Sequence, residues 1–295
     1  MSILTRLAEI NEIPTLPEIM LKIQAMVNSD EGDAKELAGL VRHDPALSAK
    51  ILKVANSAFY STAATHITSI ELAVTRIGFI EVRNISMAVS LIKQFSRRSQ
   101  LLDYRAFWKH SLTAAFTAAA ISRHLPGRLA DVPANDILFL SGLMHDIGIL
   151  VYDQFFHDEF KQIISAKVKN EISYLDAESA AVPHEGHATV GAALLELWKL
   201  DPSVVAAVRG HHAPSGAPES FIRLARMTAL VERALCGPLG AFEGLSSSAD
   251  DGHLAGLGLT RDDEAALAAA AEKEGEKTEF VFSVDSPAGG GLRRI

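Results

Sequence analysis

Cysteine is almost absent from this 295-residue chain, which contains only Cys236. A single thiol cannot build an intramolecular disulfide framework or a Cys-rich zinc site, so we expect a reducing, cytoplasmic compartment. Basic charge is also scarce, because 28 Lys and Arg stand against 36 Asp and Glu. This acidic balance lacks the electrostatic footprint needed to wrap nucleic acid, and we expect no nucleic-acid partner.

Long apolar runs and alternating strand patterns are missing as well. Stretches such as Ile147–Tyr152 are far shorter than the ~18 apolar residues of a membrane-spanning helix, so no membrane association is expected. The start MSILTRLAEI has no continuous apolar segment and does not resemble a secretory signal. The only strand candidate is residues 279–284, so an all-α fold is predicted.

Helix boundary signals recur along the chain. Asp44 before Pro45 and Asp201 before Pro202 each combine a capping carboxylate with a proline that needs no hydrogen-bond partner at the first helical position. Thr68 and Glu71 have capping-box spacing. These signals, like Asn56 followed by Ser57, are predicted to be structural.

A short polar stretch at residues 96–100 predicts a joint between two helical halves. We therefore divide the chain into residues 1–100, residues 101–240 and a C-terminal extension, 241–295. The extension is expected to be helical at 260–274 and mobile at 287–295.

The most informative feature is the pair His145-Asp146 within a predicted helix over residues 136–152 that is otherwise apolar on nearly every face. An isolated, ionised carboxylate in such surroundings is costly, so Asp146 should be paired, hydrogen-bonded or bound to a cation. A shared metal ion would satisfy both residues. A buried His-Asp hydrogen bond with a purely structural role is the alternative.

Four further histidines could join this pair. His110 lies beside an apolar helix face, His187 begins an amphipathic helix, and His211 and His212 end another. His212 also has a simpler explanation, since a cation near a helix C-terminus is favoured by the helix dipole. The segment 184–187 is not a zinc-protease HExxH motif, because its histidines are three residues apart.

An ordered series of motifs between Ile13 and Leu235 resembles the HDOD proteins, degenerate relatives of the HD-domain metal phosphohydrolases and HD-GYP phosphodiesterases. The motifs that carry this resemblance are Ile13–Pro17, Asp44–Ser48, Leu52–Ser57, Ile77–Gly78, Trp108 with His110, Gly142–Gly148, His187–Leu195, Trp198 and His211–His212. The resemblance implies an all-helical HD-like fold, with an N-terminal helical half packed on an HD-like half.

The resemblance also implies a ligand set for a divalent transition metal, with iron, manganese or zinc as candidates. His110, His145 and Asp146 match the first three ligand positions of an HD site. The remaining imidazoles resemble those that hold a second ion in HD-GYP enzymes: His187, His211 and His212.

Two departures argue against catalysis. Ile149 stands where HD-GYP enzymes typically carry a lysine, and it cannot neutralise a phosphate oxygen. The late aspartate ligand should fall in the predicted helix 221–235, but Glu232 is the only acidic residue there. An ion lacking one carboxylate could be completed by water.

The leading hypothesis is a bacterial signalling and regulatory module that binds a protein partner or a small nucleotide-like ligand and has a non-catalytic or vestigial metal site. The first alternative is a metal-dependent phosphohydrolase acting on a nucleotide or phosphodiester. The second alternative is a metal-free docking scaffold.

Overall fold

The computed structural model describes residues 2–10, 13–27, 34–60, 66–95, 101–236 and 252–282, and within them it contains helices and no strand. The predicted all-α fold is therefore confirmed for this part of the chain. No helix in these ranges is long and apolar enough to cross a membrane. The polar joint at 96–100 and the tail 287–295 lie outside the described residues.

The helices of the first third are α1 (Ile3–Glu9), α2 (Glu18–Val27), α3 (Ala34–Arg42), α4 (Pro45–Ala55), α5 (Ile70–Ile77) and α6 (Phe79–Gln94). The helices of the second third are α7 (Tyr104–Ala119), α8 (Ile121–His124), α9 (Asn135–Met144), α10 (Ile147–Phe155), α11 (His157–Asn170) and α12 (Tyr174–Ala181). The last helices are α13 (His187–Leu197), α14 (Pro202–Gly210), α15 (Ile222–Cys236), α16 (Gly252–Leu257) and α17 (Arg261–Phe282), with a 3₁₀ turn at Pro214–Gly216.

The chain forms two compact units. One unit contains residues 1–16 and 92–275, and the other contains 17–91 with the described residues that follow 275. In the second of these units, α3, α4 and α5 pack against one another. In the first, α7 packs on α9, α10 on α13, and α15 on both α7 and α14.

The N-terminal motifs serve the structure of their own unit. The Asp44 carboxylate accepts hydrogen bonds from the N–H groups of Ala46 and Leu47 at 2.9 and 3.0 Å, as the cap before Pro45 predicts. The Asn56 side chain closes the loop after α4, because its amide donates to Ile67 O at 2.8 Å and its oxygen accepts from Ile67 N–H at 2.7 Å.

Three sequence predictions require correction. The cap of α5 is Ser69, whose hydroxyl accepts from Leu72 N–H at 3.3 Å, rather than Thr68. The strand candidate at 279–284 was wrong as far as Phe282, since α17 continues through those residues. Helices α11 and α12 were not predicted, although Ser173 caps α12 by accepting from Asp176 N–H at 3.1 Å.

Candidate metal centre

The chain turns at His145 and Asp146, so the predicted continuous helix 136–152 was wrong. Helix α9 ends at Met144 and α10 begins at Ile147. Asp146 leaves helical geometry, with φ −99° and ψ 8°, and its carboxylate does not cap α10. The carboxylate faces a group of imidazoles instead, at a break that the uninterrupted apolar pattern of the sequence does not predict.

Two glycines on either side of this turn let neighbouring helices approach the pair. A Cβ atom on Gly142 would lie 2.7 Å from the carbonyl oxygen of Ala114 in α7. A Cβ atom on Gly148 would lie 2.0 Å from the carbonyl oxygen of His187 at the start of α13. Because neither glycine has a side chain, α7 brings His110 to one side of the turn and α13 brings His187 to the other.

The first cluster contains His110, His145, Asp146 and Glu232, all of them buried. His110 Nε2 lies 3.1 Å from His145 Nε2 and 2.9 Å from Glu232 Oε2. Asp146 Oδ2 lies 3.1 Å from His145 Nε2 and 3.5 Å from His110 Nε2. Four ligand atoms from α7, the α9–α10 turn and α15 therefore face one small volume.

The second cluster contains Asp146, His187, His211 and His212. His187 Nε2 lies 3.0 Å from His212 Nε2, 3.4 Å from His211 Nε2 and 3.3 Å from Asp146 Oδ1. Asp146 belongs to both clusters and turns one carboxylate oxygen toward each. All but His212, which is partly exposed, are buried.

Main-chain carbonyls fix the orientation of two of these rings. His145 Nδ1 lies 2.8 Å from Gly142 O, and His211 Nδ1 lies 2.6 Å from Val208 O. A carbonyl oxygen can only accept, so each Nδ1 carries the proton, and in the neutral ring Nε2 is an acceptor that faces other acceptors. Such an arrangement requires a cation, either protons or metal ions.

Burial alone would lower the pKa of His110, but the carboxylates of Glu232 and Asp146 outweigh it and raise the pKa to about 9. Burial likewise opposes protonation of His145, yet its pKa lies well above the ordinary value because of Asp146 and Glu232. The pKa values of His211 and His212 are lowered by burial, with neighbouring imidazoles adding to the effect. Without metal, protons would therefore occupy the first cluster, while His211 and His212 keep their lone pairs.

The geometry fits a metal. Both carboxylate oxygens of Asp146 are buried and face only imidazole nitrogens, at 3.1 to 3.6 Å, an arrangement that is costly unless protons on those rings or a metal ion compensate the charge. Ligand atoms bound about 2 Å from one ion stand about 3 Å apart, which matches the spacings within each cluster. His110, His145, Asp146 and Glu232 could hold one ion, and Asp146 with His187, His211 and His212 could hold another.

All six residues predicted from the sequence as metal ligands come together in these clusters. The late aspartate is absent, as the sequence shows, but α15 places the carboxylate of Glu232 against His110 and His145, so the first cluster does not lack a second carboxylate. The sequence contained a signal for this contact, since Glu232 is the only acidic residue of α15. From the sequence alone, Glu232 was not assigned to the position of the late aspartate ligand. Glu178 was missed entirely; its carboxylate contacts His187.

The structure also bears on two sequence interpretations outside the ligand set, those of Ile149 and His184. Ile149 is fully buried, so it offers nothing to a phosphate group at the surface of the site. His184 is exposed and lies outside both clusters, in agreement with the rejection of an HExxH motif.

A family model of the HDOD domain matches residues 13–214. The chain belongs to the HDOD domain family. A solved HDOD domain protein of unknown function from Geobacter sulfurreducens superposes with a TM-score of 0.75 at 25% identity, covering 96% of this chain and 97% of that chain.

Two further relatives extend the comparison. The fold is shared with a candidate signal transduction protein from Marinobacter aquaeolei VT8, with a TM-score of 0.73 at 23% identity, covering 96% of this chain and 60% of that chain. An uncharacterized protein of Treponema pallidum (strain Nichols) is 25% identical over 214 residues, which are 72% of this chain and 40% of that protein. This HDOD chain therefore spans less than half the length of that curated relative.

Proposed function

We propose that this HDOD protein is a regulatory module that holds a pair of divalent transition-metal ions and acts by binding a signalling partner or a small nucleotide-like ligand. The observation that carries the proposal is the position of the buried Asp146 between two sets of imidazoles, with one carboxylate oxygen directed toward each set. Asp146 would bridge the two ions.

The chemistry of the donors selects the class of metal. Five imidazoles and two carboxylates suit zinc, iron or manganese, whereas calcium and magnesium favour sites built from oxygen ligands alone. The partly exposed His212 is the one ligand that gives the second ion an approach from solvent.

Burial supports regulation over turnover. His110 is 4% exposed, His145 and Asp146 are each 1% exposed, and Glu232 is 2% exposed. A phosphoryl group must reach both the ion and a water molecule during hydrolysis, and the burial of the first cluster opposes that access at its ion. The buried Ile149 adds no cation for phosphate.

Metal analysis of purified protein tests the proposal. After expression with supplemented iron, manganese and zinc, we expect about two ions per chain, one for each cluster. Asp146→Asn should lose both ions, since the amide cannot bridge them as a carboxylate does. Asp176→Asn removes a charge from the exposed side of α12 and should bind like the wild type. Metal-free wild-type protein would leave the docking scaffold as the better description.

A second function is favoured by one observation. Glu232 supplies the carboxylate that a complete HD-type ligand set requires, so a metal-dependent phosphohydrolase is the alternative. Its test is hydrolysis of bis(p-nitrophenyl) phosphate by the metal-loaded protein. Turnover that disappears in both Asp146→Ala and Glu232→Gln would favour the enzyme over the regulatory module.

A further inference from the structure

Glu178 is a buried carboxylate with no part in either ligand cluster. It lies on α12, one helical turn after Tyr174, and is 4% exposed. The Tyr174 ring packs edge-on against His187, with ring centroids 5.8 Å apart. Burying an ionised carboxylate is costly unless its oxygens receive hydrogen bonds, so its partners indicate what it does.

His187 contacts the Glu178 carboxylate with both its main chain and its ring, and the Tyr174 hydroxyl interacts with the same carboxylate. The His187 backbone N–H donates to Oε1 at 2.8 Å. The His187 ring nitrogen Nδ1 lies 2.9 Å from Oε2 and 3.1 Å from Oε1. The carboxylate thus holds the main chain and the imidazole together, and it directs Nε2 toward Asp146, His211 and His212.

Gly186 provides the space for this carboxylate. A Cβ atom at residue 186 would lie 2.6 Å from Glu178 Oε2. The backbone of Gly186 has φ −58° and ψ 167°, which any L residue can adopt. Residue 186 is therefore a glycine because a side chain there would displace the Glu178 carboxylate, and not because the backbone requires it. The absence of a side chain at Gly186 allows Glu178 to contact His187.

The rings of His145 and His211 are also held in place by hydrogen bonds, but their partners differ from that of His187. His145 and His211 each donate from Nδ1 to a neutral main-chain carbonyl three residues earlier in the chain. His187 instead meets a charged carboxylate. A carboxylate behind a metal-bound imidazole fixes the ring and makes it a stronger donor to the ion.

We propose that Glu178 is the positioning residue for the second ion and sets its affinity through His187. The inference rests on the proposed function, because it concerns the ion held by Asp146, His187, His211 and His212. Glu178 itself is not a ligand: it acts on the ion only through the orientation and donor strength of one imidazole.

Glu178→Gln is a selective probe. A glutamine can accept with its single amide oxygen from either the ring N–H or the backbone N–H, but its amino group cannot accept from the other. Loss of one hydrogen bond and of the charge should weaken the second ion by about 10- to 100-fold, the range found when partners of metal ligands are removed. The first ion, held with His110, His145 and Glu232, should keep its affinity.

The experiment is a Zn²⁺ titration of the metal-free full chain by calorimetry, with thermal melting of each metal-free variant. His212→Ala identifies the binding step of the second ion, since His212 belongs only to that cluster. Asp176→Asn, on the exposed side of the same helix, is the matched control. Gly186→Ala is the second variant, because its methyl group displaces the carboxylate while leaving its charge in place.

We expect Glu178→Gln and Gly186→Ala to weaken the step that His212→Ala removes and to leave the other step unchanged. The metal-free melting temperature should fall in both variants, because the buried His187 loses its carboxylate partner. In Zn²⁺-loaded protein, the downfield proton resonance of His187 Nδ1–H should move upfield in Glu178→Gln. Two unchanged steps would overturn the inference, as would an equal loss of affinity in both steps. Wild-type protein that binds no Zn²⁺ would contradict the proposed function itself, and the inference with it.

Discussion

Replacing Gly148 by alanine is expected to separate α10 from α13. The added methyl carbon would lie 2.0 Å from the carbonyl oxygen of His187, 2.7 Å from its carbonyl carbon and 2.8 Å from the nitrogen of Gly191. All three atoms belong to the main chain, so no side-chain rotation relieves the overlap. Ordinary contact begins near 3.4 Å, and α13 must therefore move by about 1.4 Å in a tightly packed interior.

The energetic cost follows from overpacking. Forcing one extra carbon into a well-packed core typically costs about 1 to 3 kcal/mol, and main-chain overlap places Gly148→Ala at the upper end. The helix propensity of alanine returns up to about 1 kcal/mol. A net loss of about 2 kcal/mol is expected, which lowers the melting temperature by roughly 4 to 8 °C for a protein of this size class.

The displacement also moves a proposed metal ligand. His187 is the first residue of α13, so a shift of this helix carries its imidazole away from Asp146, now 3.3 Å distant. Affinity for the second ion should fall at least about tenfold, as when a ligand loses its orientation. The assays are thermal melting of metal-free protein and a Zn²⁺ titration.

Gly39→Ala is the matched control. Gly39 is also helical, in α3, but a Cβ atom there would meet nothing within 4 Å. Its substitution should be neutral or stabilise by up to about 1 kcal/mol, with no change in metal binding. If Gly148→Ala melts like Gly39→Ala and binds two ions with wild-type affinity, the close approach of α10 and α13 is refuted as the device that forms the site.

Three further predictions address charge and capping. In metal-free protein the raised pKa values of His110 and His187, about 9 and about 10, contribute stability that is complete below pH 6.5 and lost as pH rises through 9 to 10. Metal binding needs unprotonated imidazoles. The difference in melting temperature between metal-loaded and metal-free protein should therefore increase as the pH rises through this range, and a constant difference would contradict the prediction. Glu232→Gln should lower the free energy of unfolding of the metal-free protein by about 3 kcal/mol near neutral pH, because it leaves a buried, protonated histidine without a partner. Urea unfolding measures this loss, with the exposed Glu196→Gln as the control. Equal urea midpoints for the two variants would argue against the pairing of Glu232 with the histidines. Asp44→Ala should cost about 1 kcal/mol through the lost cap without altering metal content, and a change in metal content would assign Asp44 a role beyond α4.

Much of the fold could be predicted because its signals are local. Capping carboxylates and prolines depend on atoms within one helical turn, so Asp44 and Asp201 marked the starts of α4 and α14 correctly. Predictions were wrong where distant contacts outweigh local preference. The apolar sequence around Asp146 gives no local signal for the break between α9 and α10, where the carboxylate faces imidazoles from α7, α13 and the end of α14.

The candidate site was likewise predictable from the sequence only in part. His145 and Asp146 were conspicuous as polar groups in an apolar segment, and motif order pointed to the other imidazoles. Glu178 gave no such signal, because the polar segment that contains α12 shows its buried face only after folding. Glu232 was visible in the sequence, but whether its side chain reaches His110 depends on how α15 packs on α7.

The sequence by itself determined the helical class, the family motifs and the identity of six candidate ligands, since these depend on residue type, spacing and order. Only the tertiary structure decided that these residues form two clusters around Asp146, that Glu232 belongs to one of them and that Glu178 contacts His187 in the other. The reason is steric as well as chemical. Gly142, Gly148 and Gly186 have no side chain, so other groups of the protein can lie directly against them. The sequence pattern does not predict which groups these will be.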